Sequence, residues 1–435
     1  MEAETWVCGL LADYRGLIGE GCVGLDRERG VIAAISKSPP PGARAMDYRS
    51  RGVLVIPGLV DLHVHLRGLG YSYKETPRSG GWAAASAGIT LVVDMPNTQP
   101  PSDEPGAVEA KLGELASQCP VDHGLYAGVP ERPELVGGLA STPVAGFKVY
   151  PRDLASRREA LQAILSLRGM LVVLHPEAPW ARRGDLQESP ASRESHRPCW
   201  LEAHAVLDLA SLGGRARIHV THASCPGTVE ASRALGFTVD VTPHHLHWSL
   251  HTLGDPCLGK VNPPLRGHPD VWGLWRALLE GRVDALASDH APHAEREKLG
   301  DPLACPPGFP WLELWPWLVF RLVRLGILGL REFLWLTSRG PALVLGLRHY
   351  GTLEQGARAN VVVLDPKPWR RFPGPRHSLA RLTPALMERL AGAPLAVLVG
   401  GDPVYVDGEL AGRGRPVNPF ASRARASGVR GGGDT

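Results

Sequence analysis

The sequence predicts an α/β protein: a TIM-like (β/α)8 barrel carrying a small β-sandwich built from both ends of the chain. Three observations predict it. Eight apolar runs recur through the middle of the chain with helical stretches between them. Short apolar or alternating strands fill both ends. Polar, chemistry-bearing residues gather where the central runs finish, the face on which such barrels carry their sites. With 435 residues, 44% of them hydrophobic, the chain is long enough for one large barrel and an appendage.

Residues 1–55 read as the N-terminal part of the sandwich. Strands at 31–35 and 53–56 flank the Pro39-Pro40-Pro41-Gly42 loop. The barrel is expected over 56–349. Its strands are read at 54–65, 90–95, 124–129, 146–150, 170–175, 216–222, 237–242 and 283–289, with helices such as 157–167, 200–212 and 269–279 between them. Residues 350–412 return to short strands at 360–364, 395–399 and 403–406, the C-terminal part of the sandwich. The segment 413–435 is rich in Gly, Arg and Ser and is expected to be a flexible tail.

Composition narrows the class of protein. The net charge is +3 and the basic residues are scattered, which argues against a nucleic-acid surface. The seven cysteines form no CxxC pair and read as ordinary thiols of a reducing compartment, so a cytoplasmic enzyme is expected. Glu2, Glu4 and Asp13 interrupt the first residues, unlike a signal peptide. Residues 311–330 are strongly apolar but contain Glu313, Pro316, Arg321 and Arg324. They read as a packed amphipathic helix, not a membrane span.

The chemistry concentrates in Asp61-Leu62-His63-Val64-His65-Leu66-Arg67. Side chains two apart on a strand share a face, so His63 and His65 can reach one metal ion. Arg67 continues the alternation and offers a planar fork for a carboxylate. Strand two runs into Asn97, strand four carries Lys148, strand five ends in His175, strand six in His222 and strand eight in Asp289. His63, His65, His175, His222 and Asp289 with a bridging group suffice for two metal ions. A buried lysine ammonium is costly. Neutral Lys148 can instead take up carbon dioxide as a carbamate and supply the bridge, with Asp153 as the rival carboxylate; the alternative is a structural ion pair of Lys148 with Asp153 or Glu177. Asp289 can both ligate metal and shuttle a proton to a leaving nitrogen. His219 is read as packed inside, His244 and His245 as structural, and His290 as facing away. His293 can return to the substrate.

These residues resemble the amidohydrolase superfamily and, within it, dihydroorotase. The resemblance spans nearly the whole chain. It rests on residues 61–67, on Asp94-Met95-Pro96-Asn97-Thr98, on His219-Val220-Thr221-His222, on Lys260-Val261-Asn262-Pro263-Pro264-Leu265-Arg266, and on Ser288-Asp289-His290-Ala291-Pro292-His293. It implies a distorted barrel, a sandwich from both termini, and two zinc ions bridged by carboxylated Lys148 and a hydroxide. The implied reaction is reversible closure of N-carbamoyl-L-aspartate to L-dihydroorotate in pyrimidine synthesis. Metal would be held by His63, His65, Lys148, His175, His222 and Asp289, with Asp289 as the catalytic acid/base. Arg67, Asn97 and His293 would bind the substrate carboxylate, with Asn262 and the Pro307-Gly308 backbone near the ring.

Three departures stand out. Gly68-Leu69-Gly70 follows Arg67 where the family commonly has Glu-Pro-Gly. Gly146-Phe147-Lys148-Val149-Tyr150-Pro151 resembles the members with a modified lysine, and Trp311 stands where glycine is usual. Two alternatives are a hydantoinase- or allantoinase-type hydrolase of cyclic ureides and an inactive scaffold for aspartate transcarbamoylase. A homo-oligomer or a complex with aspartate transcarbamoylase, a small-molecule substrate, and no nucleic-acid or membrane partner complete the expectation.

Overall fold

The computed structural model describes residues 3–179 and 189–422. Two sheets organise them. Eight parallel strands form the barrel in the order of the chain: β6 (Leu59–Val64), β7 (Ile89–Asp94), β8 (Asp122–Gly128), β9 (Gly146–Val149), β10 (Leu171–Leu174), β11 (Arg217–Val220), β12 (Thr238–Val241) and β13 (Ala285–Leu286). A parallel bridge between Val64 and His290 brings the two ends of this sheet together, reinforced by the His65 N–H donating to the His290 carbonyl at 2.8 Å. Parallel strands covered by helices are buried on both faces, which is why these runs are almost continuously apolar.

The second sheet has nine strands from both termini. Its order is β17 (Glu409–Leu410), β16 (Asp402–Val406), β15 (Arg389–Val399), β14 (Val361–Arg371), β5 (Leu54–Pro57), β1 (Thr5–Asp13), β2 (Gly16–Asp26) and β3 (Val31–Ser36), with β4 (Ala45–Asp47) beside β1. β5 joins the two chain ends, pairing parallel with β1 and antiparallel with β14.

Several expectations need correction. The run read as one barrel strand over 54–65 is two strands in two sheets, divided at Gly58. Gly58 must be glycine because a Cβ there would lie 2.0 Å from Thr90 Oγ1. Periodicity cannot reveal such a change of sheet, since both halves are fully buried. The apolar segment 311–330 holds a shorter helix, Trp315–Arg324, opened by Pro316, whose missing N–H costs nothing in a first turn. Among the described residues no helix is long and apolar enough to cross a membrane. The tail expected to be flexible from 413 is held through its first residues. The Val417 N–H donates to Asp122 at 2.8 Å, Arg413 reaches the Cys119 carbonyl, and Phe420 is fully buried against Gly124. Residues 423–435 lie outside the described part.

The cysteines are also not all free thiols. Disulfides join Cys8 to Cys22, Cys199 to Cys225 and Cys257 to Cys305, leaving Cys119 as the free cysteine, buried. Separations of 14, 26 and 48 residues show no framework in the sequence, because each pair meets through tertiary structure. Cys8 and Cys22, for example, are directly opposed in the antiparallel register of β1 and β2. Cross-links of such spans stabilise by about 3 kcal/mol each when they only restrict the unfolded chain.

Candidate active site

The site is built on the seam where the barrel closes. Asp61 lies under it, fully buried. Its carboxylate accepts the His63 and Ser288 backbone N–H groups, each at 3.2 Å, and the Trp315 indole N–H at 3.0 Å. Burial pushes its pKa up to about 7. Asp61 therefore ties β6 to the segment after β13 and sets Asp289 opposite the two histidines of β6.

His63 and His65 project to one side of β6, as alternation requires. His63 Nδ1 is 2.7 Å from Thr221 Oγ1, and His65 Nδ1 is 2.7 Å from Asn97 Oδ1. The latter contact needs a proton on His65 Nδ1, which leaves Nε2 as its free lone pair. The Nε2 atoms of His63 and His65 face Asp289 Oδ1 at 3.4 and 3.2 Å. Ligand atoms of His63, His65 and Asp289 all lie within 4.8 Å of one another, a spacing one metal ion can bridge.

Two more imidazoles complete the cluster. The His222 ring is 5.0 Å from that of His63 and 4.5 Å from that of His175, centroid to centroid. His175 Nε2 meets the Glu177 carboxylate at 2.6 Å, so its other nitrogen is the one available to a metal. The His222 N–H is anchored on Asp240 at 2.7 Å, while its Nδ1 is buried with no partner among the described residues. Burial holds all four imidazoles below their ordinary pKa, and in His63 and His222 far below. They are neutral at pH 7, the form that binds metal.

Lys148 lies beneath this cluster. Its Nζ is fully buried and finds no hydrogen-bond partner among the described residues, and burial lowers its pKa to about 7. Asp153, the rival bridge, accepts the Tyr150 N–H on Oδ2 at 2.8 Å, faces Arg157 with Oδ1 at 3.6 Å, and lines an outer cleft in place of the imidazole cavity. Four neutral imidazoles, one carboxylate and an orphaned amine suit zinc or a similar borderline ion.

Arg67 is buried and makes no ion pair with a described carboxylate. Its Nε donates to the Pro292 carbonyl at 3.3 Å and its Nη2 approaches His293 Nε2 at 3.4 Å. The Arg67 backbone is clasped from behind by Lys111, whose Nζ donates to the Arg67 carbonyl at 2.8 Å and pairs with Asp94 at 3.2 Å. Arg67, His222 and Asp289 all have left-handed backbone angles, with φ of 54°, 43° and 47°. Non-glycine residues rarely adopt these, and the surrounding hydrogen bonds hold them there.

Together these residues enclose a cavity of about 160 Å³. It is lined by His63, His65, Arg67, Asn97, Tyr150, Pro151, His175, His222, Asn262, Asp289, Ala291, Pro307 and Gly308. Arg67, Asn97, Tyr150 and Pro151 also line a wider outer cleft of about 530 Å³. Two sequence-predicted residues stand behind the wall: Lys148, and His293, whose Nε2 lies 3.0 Å from the Pro307 carbonyl oxygen and so can hold that loop. Burial and the neighbouring Arg67 and Lys74 push the His293 pKa down to about 2.

The other histidines of these motifs lie outside the cavity lining. His219 pairs with Asp240 at 2.8 Å, and His245 bridges Thr242 and the Pro263 carbonyl. His244 stacks on Trp311 at 5.9 Å, within an aromatic cluster outside the cavity lining. His290 turns away, accepting the Trp311 N–H at 3.0 Å. Sequence reasoning gave no role to Thr221 or Lys111, and read Glu177 only as an alternative ion-pair partner of Lys148, a pair that is absent among the described residues. Only Glu177, two residues after His175, carried a signal that could have been read as a ligand-orienting carboxylate.

This fold and donor set define a metal-dependent cyclic amidohydrolase. A family model described as dihydro-orotase-like matches residues 52–129. A dihydroorotase of Aeropyrum pernix is 44% identical over 362 residues, covering 80% of this chain and 83% of the relative. One of Sulfolobus acidocaldarius is 33% identical over 422 residues, covering 97% of this chain and all of the relative. The L-hydantoinase (dihydropyrimidinase) of Arthrobacter aurescens superposes with a TM-score of 0.85 at 25% identity, covering 95% of this chain and 99% of that one. The chain belongs to the dihydroorotase family.

The depressed histidines have a consequence for stability. Each is neutral when folded and takes up a proton when unfolded below about pH 6.5, so folding weakens as pH falls. His63, His65, His175, His222 and His293 act together in this direction. Asp61, raised to about 7, opposes them, as do the raised carboxyls of Asp153, Glu202 and Asp270, while His244 and His245 add to the histidine side. The urea midpoint of metal-free protein is expected to drop between pH 7.5 and 5.5. A flat or rising midpoint would contradict the neutral-imidazole assignment.

Proposed function

We propose that this chain is a dihydroorotase, interconverting N-carbamoyl-L-aspartate and L-dihydroorotate in de novo pyrimidine (UMP) synthesis with two zinc ions as cofactors. The observation that carries the reading is Arg67: a buried guanidinium without a carboxylate partner among the described residues, lining one cavity with Asn97 and the imidazole cluster. A buried cation without a counter-ion is expensive unless the ligand brings one. The carboxylate of dihydroorotate does so, and a plain cyclic ureide such as hydantoin does not. The complete set of donor residues argues against an inactive scaffold.

His63, His65, His175, His222 and Asp289 would hold the metals. The ions supply a Lewis acid for the ring carbonyl and make water acidic enough to attack at neutral pH. Lys148 fits the role of bridging ligand. Its neutral amine would add to carbon dioxide and lose one proton, giving a carbamate anion that would supply a carboxylate to the metal cations and be balanced by them. Arg67 would grip the substrate carboxylate by both arms of its fork. Asn97 spends its oxygen on His65, so its N–H2 group is the part free to assist. The Pro307-Gly308 backbone would close the ring-binding side. Asp289, 3.2 Å from His65, would take a proton from the attacking water and deliver it to the ring nitrogen that leaves. In the biosynthetic direction the same carboxyl group removes that proton from the ureido nitrogen.

A cytoplasmic location belongs to this reading. Two of the disulfides are fully shielded, with Cys8, Cys22, Cys257 and Cys305 buried, and in the third Cys225 is buried and Cys199 half-buried. A homo-oligomer is also part of it. Trp200 and Trp272 are 63% and 70% exposed on outer helices and offer apolar surface for self-association, which sedimentation would measure.

Purified protein should hydrolyse dihydroorotate, lose that activity on chelation and regain it with zinc. Hydantoin or dihydrouracil turned over faster than dihydroorotate would move the assignment to the hydantoinases. Lys148→Ala should lose metal and activity together, with partial rescue by a short carboxylic acid. Metal content equal to wild type would remove Lys148 from the ligand set. Arg67→Met should raise KM roughly 10- to 100-fold, the cost of one or two hydrogen bonds to charge, with metals retained. Loss of metal in that variant would mean that Arg67 supports the cluster and not the substrate.

A further inference from the structure

Asn262 lines the cavity, and two buried guanidinium groups converge on its side-chain oxygen. Arg193 Nη2 donates to Asn262 Oδ1 at 2.6 Å and to the Val261 carbonyl at 2.9 Å. Arg197 Nη1 donates to the same Oδ1. The arginines are only 4% and 6% exposed. Arg197 uses the rest of its fork on Glu177, with Nε donating to Oε1 at 2.6 Å and Nη2 to Oε2. Glu177 in turn meets His175 at 2.6 Å. Burial alone would raise the Glu177 pKa, but Arg197 and His175 hold it well below the usual carboxylate range.

This arrangement permits one orientation of the Asn262 amide. With its oxygen toward the arginines, it accepts two charge-assisted hydrogen bonds. Turned over, its N–H2 would face two guanidinium groups that have no lone pair to offer. Asn97 shows the same polarity on the opposite wall, its oxygen held by His65. The lining amides therefore expose donors and hide acceptors.

We propose that Arg193 and Arg197 are positioning residues that lock the Asn262 amide with Nδ2 offered to the cavity. Asn262 then reads a hydrogen-bond acceptor, a ring or ureido carbonyl oxygen, and discriminates against a substrate that presents an N–H there. The inference rests on the cyclic-ureide reading of the site. Because Arg197 also grips Glu177 beside His175, the segment that orients the amide also steadies a residue of the imidazole cluster.

Asn262→Asp separates this role from a structural one. The aspartate still offers an oxygen to both arginines, so thermal midpoint and metal content should match wild type. It has no N–H for the substrate, so KM for dihydroorotate should rise roughly 10-fold, the value of one hydrogen bond with its desolvation, while kcat changes less than about threefold. Asn262→Ala should show the same rise, which excludes repulsion by the new carboxylate. Arg193→Met should raise KM by a smaller factor, and Arg193→Lys should restore part of it. Asn262→Asp or Asn262→Ala with KM within about twofold of wild type would overturn the proposal while leaving the enzyme assignment intact. A wild type inactive on dihydroorotate would overturn the assignment and the acceptor named here with it.

Discussion

Barrel closure between β6 and the segment after β13 is the constraint on which the rest of this molecule depends. A short strand of two residues, Ala285–Leu286, is a weak final stave. The seam is instead made by Asp61, which binds the backbone of both sides and the Trp315 indole, and by the bridge from Val64 to His290. Those contacts set Asp289 against His63 and His65. Without them the carboxylate and the imidazoles would belong to distant ends of an open sheet.

Electrostatics follows from this burial. Removing water from the barrel mouth keeps the imidazoles neutral and lowers the pKa of the Lys148 amine, so the cluster is a set of lone pairs awaiting a cation. A short distance away the problem is reversed. Arg67 remains a cation with no described anion beside it, and its strained backbone is held by Lys111 from behind. A metal-seeking pocket and a carboxylate-seeking fork thus share one cavity of about 160 Å³. A small anionic cyclic amide would satisfy both ends at once.

Support for the cavity reaches well beyond its lining. Arg266 illustrates this: it is buried, donates to Glu202 and Ser224, and binds the Arg197 carbonyl at 2.5 Å. Through Arg197 and Glu177 it belongs to the same hydrogen-bonded set as His175. The Cys257–Cys305 disulfide links the loops on which Asn262 and Pro307 stand. Binding walls made of loops need such ties, because loops otherwise pay conformational entropy for every contact they hold.

The sequence by itself determined the barrel class, the β-rich ends and much of the cavity lining, but not Tyr150, Pro151 or Ala291. Alternation at the end of β6 puts His63 and His65 on one side, and strand ends in a parallel barrel share one rim, so local rules suffice there, whereas Arg67 lies beyond β6 in a left-handed conformation that alternation does not describe. Local rules fail where a residue's role is set by a partner far along the chain. Lys111 and Thr221 are ordinary polar residues until the fold brings them to Arg67 and His63, and Glu177 shows its full role only when Arg197 is brought to it. The division at Gly58, the three disulfides and the packing of Phe420 were invisible for the same reason. Hydrophobic pattern records that a residue is buried, not which sheet or which partner buries it. Tertiary structure alone decided those pairings, because they depend on contact across the closed barrel and not on spacing along the chain.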